Sequence, residues 1–282
     1  MSWLLFALLS VFFFSLSSLI QRVLMKKEQN DAYVYSVVFQ LLGALIIGIF
    51  AFSKGFIMPP IASLPINFIL LTVLYGFGTL CMFNAFKYLE ASEVTMLGAS
   101  RAVITILSAV FILSEIFTFN NGVGTILILF AVVLITYEKK SFKLNKGTLY
   151  ALGMALFFGL ALTNDTYLIK FVDVFSFTTF GFLLPGLFLI LIKPTIIPKL
   201  KVFLNPKIFG KMFLLDFIYA AGSICFYYAI EQGAHASQAV PIMQSTVIVT
   251  VILAAIFLKE RDHLLKKLIG AILITMGILL LK

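Results

Sequence analysis

The 282-residue sequence predicts an all-α membrane protein whose ten transmembrane helices form two five-helix repeats of inverted topology. Three observations lead to this fold class: a strongly apolar composition, a series of apolar runs of bilayer length, and an internal repeat with oppositely charged loops. The composition is 62% hydrophobic and only 12% charged, whereas soluble domains carry roughly 25% charged residues. A soluble enzyme, a disordered chain and a collagen-like chain are therefore excluded.

Apolar runs bounded by charged or turn residues follow one another along the whole chain. A membrane-spanning helix needs about 20 largely apolar residues, and each run is close to that length. None of the runs alternates apolar and polar residues as the strands of an outer-membrane barrel do. The ten predicted helices cover residues 2–25, 33–53, 66–88, 92–114, 120–138, 147–170, 173–193, 210–232, 235–258 and 264–281.

An internal repeat divides the chain into residues 1–138 and 147–282. A shift of 144 positions superposes Tyr75, Gly78, Cys81 and Ala85 on Tyr219, Gly222, Cys225 and Ala229, and their spacing places each set on one helix face. The same shift brings Ala7, Phe13, Phe14 and Lys26 onto Ala151, Phe157, Phe158 and Lys170. A shift of 145 matches Ala91, Ser92, Ser100 and Glu115 with Ala236, Ser237, Ser245 and Glu260.

The loop charges indicate that the two copies cross the membrane in opposite directions. Because the first copy has five spans, an odd number, it ends on the opposite side of the membrane from where it begins. The second copy must therefore cross the membrane in the inverted orientation. Seventeen of the 21 Lys and Arg residues fall in the odd-numbered loops, and only Lys54, Lys170 and Lys282 lie on the other side. This bias predicts cytoplasmic odd-numbered loops and external termini in a multi-pass protein of the cytoplasmic (inner or plasma) membrane. The net charge of +9 is thus a topology signal and does not indicate nucleic-acid binding.

An inverted repeat of this kind is typical of secondary transporters, and local motifs strengthen that interpretation. In the first copy, the segment from Asn84 to Ser92 is followed by an apolar helix that ends at Glu115; in the second, Tyr228 to Ser237 leads to Glu260. With these motifs the whole chain resembles the drug/metabolite transporter superfamily, specifically its ten-helix EamA-type members. The resemblance implies alternating access and frequent export of amino acids or related metabolites. The sequence departs from the family at Ser100-Arg101, where a Glu-Pro pair is common.

Arg101 is the most informative single residue because it lies nine residues inside the predicted fourth helix. A charge near the bilayer centre costs about 2.5–3.5 kcal/mol on insertion scales. The guanidinium suits a substrate carboxylate or phosphate, which it binds through two hydrogen bonds. A pair with Asp165, Glu93 or Glu90, or extension of the side chain to the membrane surface, remains the structural alternative.

Other polar residues inside predicted helices complete the set of candidate substrate-binding residues: Gln244, Tyr75, Tyr219, Asn84, Asp165 and Gln40. Each has a structural alternative, such as interhelical hydrogen bonding for Gln244 or the interfacial aromatic belt for the tyrosines. Asp165 suits either a coupled proton or a contact with Lys170 at the membrane surface. Glu115 and Glu260 are expected to cap helix joints rather than to bind substrate.

The sequence therefore predicts a secondary transporter that moves a small polar metabolite, with export as the expected direction. The alternative is a flippase or carrier for a lipid-linked anionic substrate. Expected partners are the small-molecule substrate, membrane lipids and a coupled proton, with a monomer and a homodimer both open. No enzymatic activity, cofactor or metal site is predicted, because both histidines lie at helix ends and no metal-binding or ATP-binding motif occurs.

Overall fold

The computed structural model describes residues 2–27, 29–113, 116–138, 141–142, 145–232 and 236–281, and α-helices make up most of these ranges. The helices are α1 Ser2–Met25, α2 Ala32–Lys54, α3 Pro65–Tyr88, α4 Ala91–Gly98, α5 Arg101–Leu113, α6 Phe119–Thr136, α7 Lys146–Leu168, α8 Val174–Ile192, α9 Pro206–Glu231, α10 Ala236–Leu253 and α11 Leu264–Leu280. A short antiparallel pair, β1 Tyr137–Glu138 and β2 Ser141–Phe142, follows α6.

Polar capping residues set where several helices begin. Asp31, Asn145 and Asp173 precede α2, α7 and α8, and each side chain accepts a hydrogen bond from a backbone amide of the first turn. These bonds satisfy amides that have no partner within the helix. At the other end of α2, Gly55 adopts a left-handed conformation with φ of 95°, which stops the helix without strain.

The structure corrects several predicted helix boundaries. The fourth predicted helix, 92–114, is interrupted at Ala99 and Ser100, so that Arg101 begins α5 instead of lying within a continuous helix. The predicted connector 194–209 contains a 3₁₀ helix, Pro194–Leu204, and α9 begins at Pro206. The ninth predicted helix ends in a π-helical turn, Ala254–Leu258. Proline at 194 and 206 accounts for two of these boundaries, because proline is favoured at the first position of a helix.

Seven stretches of the described chain are long and apolar enough to cross a membrane, one of them formed by α4 and α5 together. Phe119–Ile135 and Ser245–Leu258 are shorter apolar helices. The protein is thus an all-helical membrane protein apart from its short β pair, and the count of ten spans stays a prediction. Large apolar side chains such as Ile66, Phe111 and Leu191 are exposed on the helix bundle, as expected for surfaces that contact lipid.

Several helices pack against helices of the other repeat. Helix α1 packs along α9, and the equivalent helix pair, α7 and α3, packs in the same way. Helix α2 contacts its own repeat mate α8, and α6 contacts its mate α11. Both α1–α9 and α3–α7 are antiparallel, since residues near the start of one helix contact residues near the end of the other. The two halves therefore form one interlocked bundle rather than two separate domains.

Candidate functional site

The repeated face of α3 and α9 makes equivalent contacts in the two halves. Phe158 of α7 lies over Gly78, where an added Cβ would come within 2.4 Å of its ring, and beside Tyr75. In the other half, Phe14 of α1 lies over Gly222 and beside Tyr219, with ring centroids 5.1 Å apart. The glycines thus permit close approach of a repeat-related phenylalanine, which is the packing role small residues have at membrane helix crossings.

Three of the predicted residues form one connected polar group across α2, α3 and α7. The Tyr75 hydroxyl donates to Asp165 Oδ2 at 2.5 Å, and Gln40 Nε2 donates to Thr79 Oγ1 at 2.6 Å and to the Tyr75 carbonyl at 3.5 Å. Asp165 is 8% exposed. It lies inside the bundle, bonded to tyrosine, and does not pair with Lys170 as the surface alternative required. Among the described residues, neither Asp165 Oδ1 nor Gln40 Oε1 has a hydrogen-bond partner.

Arg101 stands directly after a kink in the fourth membrane segment. The backbone bonds tighten there, with the Ser100 amide donating to the Leu97 carbonyl and the Ala102 amide to the Ala99 carbonyl. The Ser100 hydroxyl also donates to the Leu97 carbonyl at 2.6 Å, and its repeat mate Ser245 makes the same bond to Ile242 at 2.5 Å. A short 3₁₀ stretch inside a helix, with hydrogen bonds between residues three positions apart, often marks a functional hinge.

The Arg101 side chain is exposed and makes no hydrogen bond or ion pair with any residue that the structure describes. The acidic partners considered from sequence are engaged elsewhere. Glu90 pairs with Lys267, Glu93 accepts from the Glu90 amide, and Asp165 accepts from Tyr75. Within the described ranges none of these carboxylates pairs with Arg101, so the internal-pair alternative is wrong there.

Tyr219 brings a second predicted residue into the neighbourhood of Arg101. Its ring is enclosed by Phe14, Phe39 and Phe182, with centroid separations of 5.1, 5.1 and 5.8 Å. Asp216 lies three residues before Tyr219 on α9, and the Arg101 charge is within long-range electrostatic reach of this cluster. Helices α1, α2, α8 and α9 thus meet around one tyrosine.

Asp216 is the residue of this neighbourhood that the sequence analysis missed. It is 1% exposed, and neither carboxyl oxygen has a partner among the described residues. The available signal was a lone acidic residue inside an apolar span, which by default indicates a functional site.

The remaining predicted residues lie apart from this neighbourhood or outside the description. Asn84 donates to the Leu80 carbonyl and lines a cavity of about 480 Å³ with Lys87 and Tyr150. Gln244 lies in α10, but its side chain is outside the described part of the structure. Glu115 also lies outside the described residues.

A cluster of ion pairs joins the two repeats at the ends of the helices connected by basic loops. Glu260, between α10 and α11, accepts from Arg22 Nε at 3.3 Å and from the Ala91 amide at 2.9 Å. It therefore caps α4 of the other repeat. The sequence had instead suggested that it caps the joint that follows it in its own repeat. The cluster borders a cavity of about 370 Å³, which is also lined by Glu90 and Lys267.

Burial of Glu260 has an electrostatic consequence. Loss of solvent and then the negative charge of Glu90 raise the pKa of Glu260 above its usual value. The Ala91 amide and Arg22 act in the opposite direction without cancelling this effect. The cluster is thus held by hydrogen bonds to the Glu260 carboxylate, whose burial the positive charge of Arg22 offsets only in part.

Comparisons with known proteins agree with this architecture. The profile of the EamA-like transporter family matches the chain twice, over residues 1–137 and 145–282. A solved structure titled "Crystal structure of protein" superposes with a TM-score of 0.63 at 12% identity, covering 98% of this chain and 94% of the other. That likeness concerns the fold alone. No curated protein matches the sequence.

Proposed function

From the premise that the chain belongs to the EamA-like transporter family, and is therefore a membrane transporter rather than an enzyme, we propose a specific mode of transport. The substrate is a small polar metabolite with a carboxylate or similar anionic group, such as an amino acid or a related compound. The protein exports this substrate by alternating access across the cytoplasmic membrane as a secondary transporter.

The single observation that carries this proposal is the exposed guanidinium of Arg101, which has no partner among the described residues and lies about halfway along its membrane segment. Arg101 is ten residues beyond Ala91, the first residue of α4, which corresponds to about 15 Å along the helix. The hydrocarbon core is about 30 Å thick, so this depth is close to the bilayer centre. An arginine keeps its charge at any physiological pH, and an anionic ligand is the partner that compensates it.

The surroundings of Arg101 support a small ligand with an apolar or aromatic part. Tyr219 and the phenylalanines around it form an aromatic cluster within electrostatic reach of the charged group. Pockets for small molecules generally combine such apolar walls with a few polar groups that fix orientation. The kink at Ala99 and Ser100 supplies a point at which the segment carrying Arg101 moves between two conformations.

A lipid-linked anion is the second candidate, and the exposure of Arg101 is the observation that favours it. An exposed guanidinium suits a phosphate head group that enters between helices from the bilayer as well as a soluble carboxylate. The two candidates differ in whether the transported molecule is ever free in water.

Purified protein in liposomes tests the proposal with a panel of radiolabelled amino acids and other small carboxylates. We expect uptake of at least one panel member by wild type, with a large loss in Arg101→Gln and partial retention in Arg101→Lys. Arg261→Gln is the matched control, because Arg261 is exposed in the loop before α11, and we expect it to transport normally. Equal uptake by wild type and Arg101→Gln would contradict the proposal. Movement of a fluorescent phospholipid without uptake of any soluble compound would favour the lipid candidate.

A further inference from the structure

The joint between α3 and α4 is held on both sides by charged side chains from other helices. Arg22 of α1 donates through Nη1 to the carbonyls of Phe86 and Lys87, at 2.8 and 3.2 Å, in the last turn of α3. Glu260, between α10 and α11, accepts from the Ala91 amide at the start of α4 at 2.9 Å. Each side chain has the charge that the helix dipole favours at that helix end.

Two ion pairs extend these contacts across the boundary between the repeats. Arg22 Nε lies 3.3 Å from Glu260 Oε1, and the two side chains are only 13% and 8% exposed. Glu90, within the joint, pairs with Lys267 of α11, whose side chain is 5% exposed. Arg22 and Glu90 belong to the first repeat, and Glu260 and Lys267 belong to the second. Both pairs therefore tie one repeat to the other at the end of the molecule that carries the basic loops, here called the basic end.

Buried ion pairs suit a contact that must be made and broken repeatedly. The cost of removing water from both charges offsets much of their mutual attraction. When the helices that carry them separate, water reaches both partners and replaces the lost contact. Such pairs thus define one arrangement of the helices without making it much more stable than an arrangement in which both charges are hydrated.

The equivalent ion pairs cannot form at the opposite end of the molecule. The repeat shift of 144 places Thr166 at the position that corresponds to Arg22, and the shift of 145 places Gly122 at the position that corresponds to Lys267. Neither residue is charged. Contacts made by both repeats act at both ends of the bundle, whereas these pairs act at the basic end alone.

The cavity of about 370 Å³ lies directly beside the two pairs. Arg22, Glu90 and Lys267 line it, and so does Leu97, which is 1% exposed. Leu97 lies two turns beyond Glu90 on the same face of α4, which corresponds to about 10 Å along the helix. The cavity thus extends from the charged residues along α4, toward the part of the membrane segment that carries Arg101.

We propose that the Arg22–Glu260 and Glu90–Lys267 pairs form a gate at the basic end, and that this gate is closed in the present structure. Opening breaks both pairs, releases the joint between α3 and α4, and admits a ligand from the basic end to the segment that carries Arg101. The gate rests on the proposed function, in which the protein works by alternating access.

The alkylation rate of a buried thiol tests the gate without any substrate. The probe is Leu97→Cys in full-length protein in detergent, with both native cysteines replaced through Cys81→Ala and Cys225→Ala. A water-soluble maleimide should react slowly while the gate is intact. Glu260→Gln keeps a hydrogen-bond acceptor but removes the charge, and we expect alkylation about tenfold faster. Lys201→Gln, which removes an exposed charge at the same end, is the matched control and should leave the rate unchanged.

The combination of two substitutions distinguishes a gate from local loosening. Arg22→Gln should also accelerate alkylation, and Glu260→Gln should then have little further effect, because the pair is already broken. Two accelerations that simply multiply would show that the residues act independently and would overturn the gate. Alkylation at the unsubstituted rate in both single variants would overturn it as well.

A reversible cross-link tests whether the gate must open during transport. Arg22→Cys and Glu260→Cys, combined in the background without native cysteines, are joined by a bifunctional methanethiosulfonate reagent in liposomes. We expect the cross-link to stop uptake of the labelled carboxylates and a reductant to restore it, while each single variant treated in the same way keeps its uptake. Undiminished uptake by the cross-linked protein would contradict the gate.

Failure of the gate and failure of the proposed function give different results. Alkylation that responds to the pairs, without uptake of any compound of the panel, would count against the proposed substrate and leave the gate standing. Arg101-dependent uptake that continues through the cross-link would remove the gate alone. If the double-cysteine variant does not fold, the alkylation rates decide.

Discussion

At the residue scale, repeat-related tyrosines have acquired different partners. Tyr75 gives its hydroxyl hydrogen to Asp165, whereas Tyr219 lies among the rings of Phe14, Phe39 and Phe182, one helical turn beyond Asp216. We propose that the same position serves bundle stability in one half and the substrate site in the other. A duplicated sequence can preserve a fold through its shared residues while a few unshared residues, here Asp165 and Asp216, separate the roles.

The paired variants Tyr75→Phe and Tyr219→Phe test this division. Tyr75→Phe leaves a buried carboxyl oxygen without its donor, so we expect the free energy of unfolding to fall by about 1–3 kcal/mol. Tyr219→Phe keeps the ring contacts, and we expect a smaller stability change together with weaker substrate transport. Thermal melting in detergent and liposome uptake measure the two effects. Equal destabilisation by both substitutions would contradict the assignment.

Asp31 provides a pH-dependent contact outside the membrane segments. Burial acts to raise its pKa, but hydrogen bonds from Lys199 and the Tyr33 amide and the charges of Lys199 and Lys193 outweigh burial and lower it. A carboxyl whose folded pKa is lowered contributes stability above its unfolded value, near 3.8, and loses it as the pH falls through the folded pKa.

We therefore expect Asp31→Asn to melt slightly below wild type at neutral pH and to converge with it in acid. The asparagine still accepts from the Tyr33 amide, so the helix cap is kept. The difference should be within about 1 kcal/mol, because the pair is largely exposed. Melting temperature against pH is the measurement, and Lys201→Gln is the matched control. An offset that does not change with pH would show that the charge of Asp31 is not its cause.

At this scale the sequence predicts individual candidate residues but not their hydrogen-bond partners. The cost of polar groups in lipid makes Arg101, Asp165 and Gln40 candidate site residues, and their place in the repeat adds Tyr75 and Tyr219. The partners of these residues are not predicted, because hydrogen bonds such as Tyr75 to Asp165 join residues 90 positions apart. The partner of a buried polar group depends on tertiary packing, which single positions do not reveal.

At the element scale, small residues determine how closely helices approach. Helices α6 and α11 cross at Gly124 and Gly277, where a Cβ on Gly124 would lie 2.5 Å from the Gly277 carbonyl oxygen. A contact of that length is a clash with backbone, so the helices must separate if the residue is enlarged. Both glycines allow the two helices to approach closely, and neither forms a turn.

Gly124→Ala should therefore destabilise the protein by about 1–3 kcal/mol through overpacking. The control is Gly181→Ala in α8, where an added Cβ meets nothing within 4 Å. Relief of glycine's conformational entropy should leave that variant as stable as wild type or about 0.5–1 kcal/mol more stable. Thermal melting in detergent compares the two variants. Similar melting temperatures would show that the crossing of α6 and α11 is not tightly packed.

The predicted elements agree with the observed ones wherever an apolar run ends in a strong signal. Pro65 and Asn145 mark the beginnings of α3 and α7 within a residue of the predicted boundaries. The kink before Arg101 was not predicted, because Ala99 and Ser100 are compatible with a continuous helix. Helix α7 comes close to the backbone just after this kink, since a Cβ on Gly159 would lie 2.8 Å from the Arg101 carbonyl oxygen.

At the scale of the whole molecule, the exchange of helix partners between repeats couples the two halves mechanically. The Arg22–Glu260 pair and the Glu260–Ala91 bond join α1, α4 and the joint between α10 and α11 at the basic end. Any opening toward that side must break these contacts. The polar group of Tyr75, Gln40 and Asp165 lies elsewhere in the bundle and takes no part in these contacts.

The predicted orientation of the molecule is tested with reporter fusions. Alkaline phosphatase fused to the C-terminus should be active, because the charge bias places both termini outside the cytoplasm. A fusion within the connector that carries Lys199 and Lys201 is the matched control and should be inactive, since that loop belongs to the basic face. The reverse pattern would invert the assigned orientation while leaving the repeat relationship intact.

The most direct test of the central claim is uptake by liposomes containing purified wild-type or Arg101→Gln protein, measured with the same panel of labelled amino acids and small carboxylates. The account predicts that wild type accumulates at least one anionic or zwitterionic compound and that Arg101→Gln loses most of this uptake, while Arg261→Gln keeps it. Undiminished uptake by a folded Arg101→Gln protein would contradict a transport site built around Arg101.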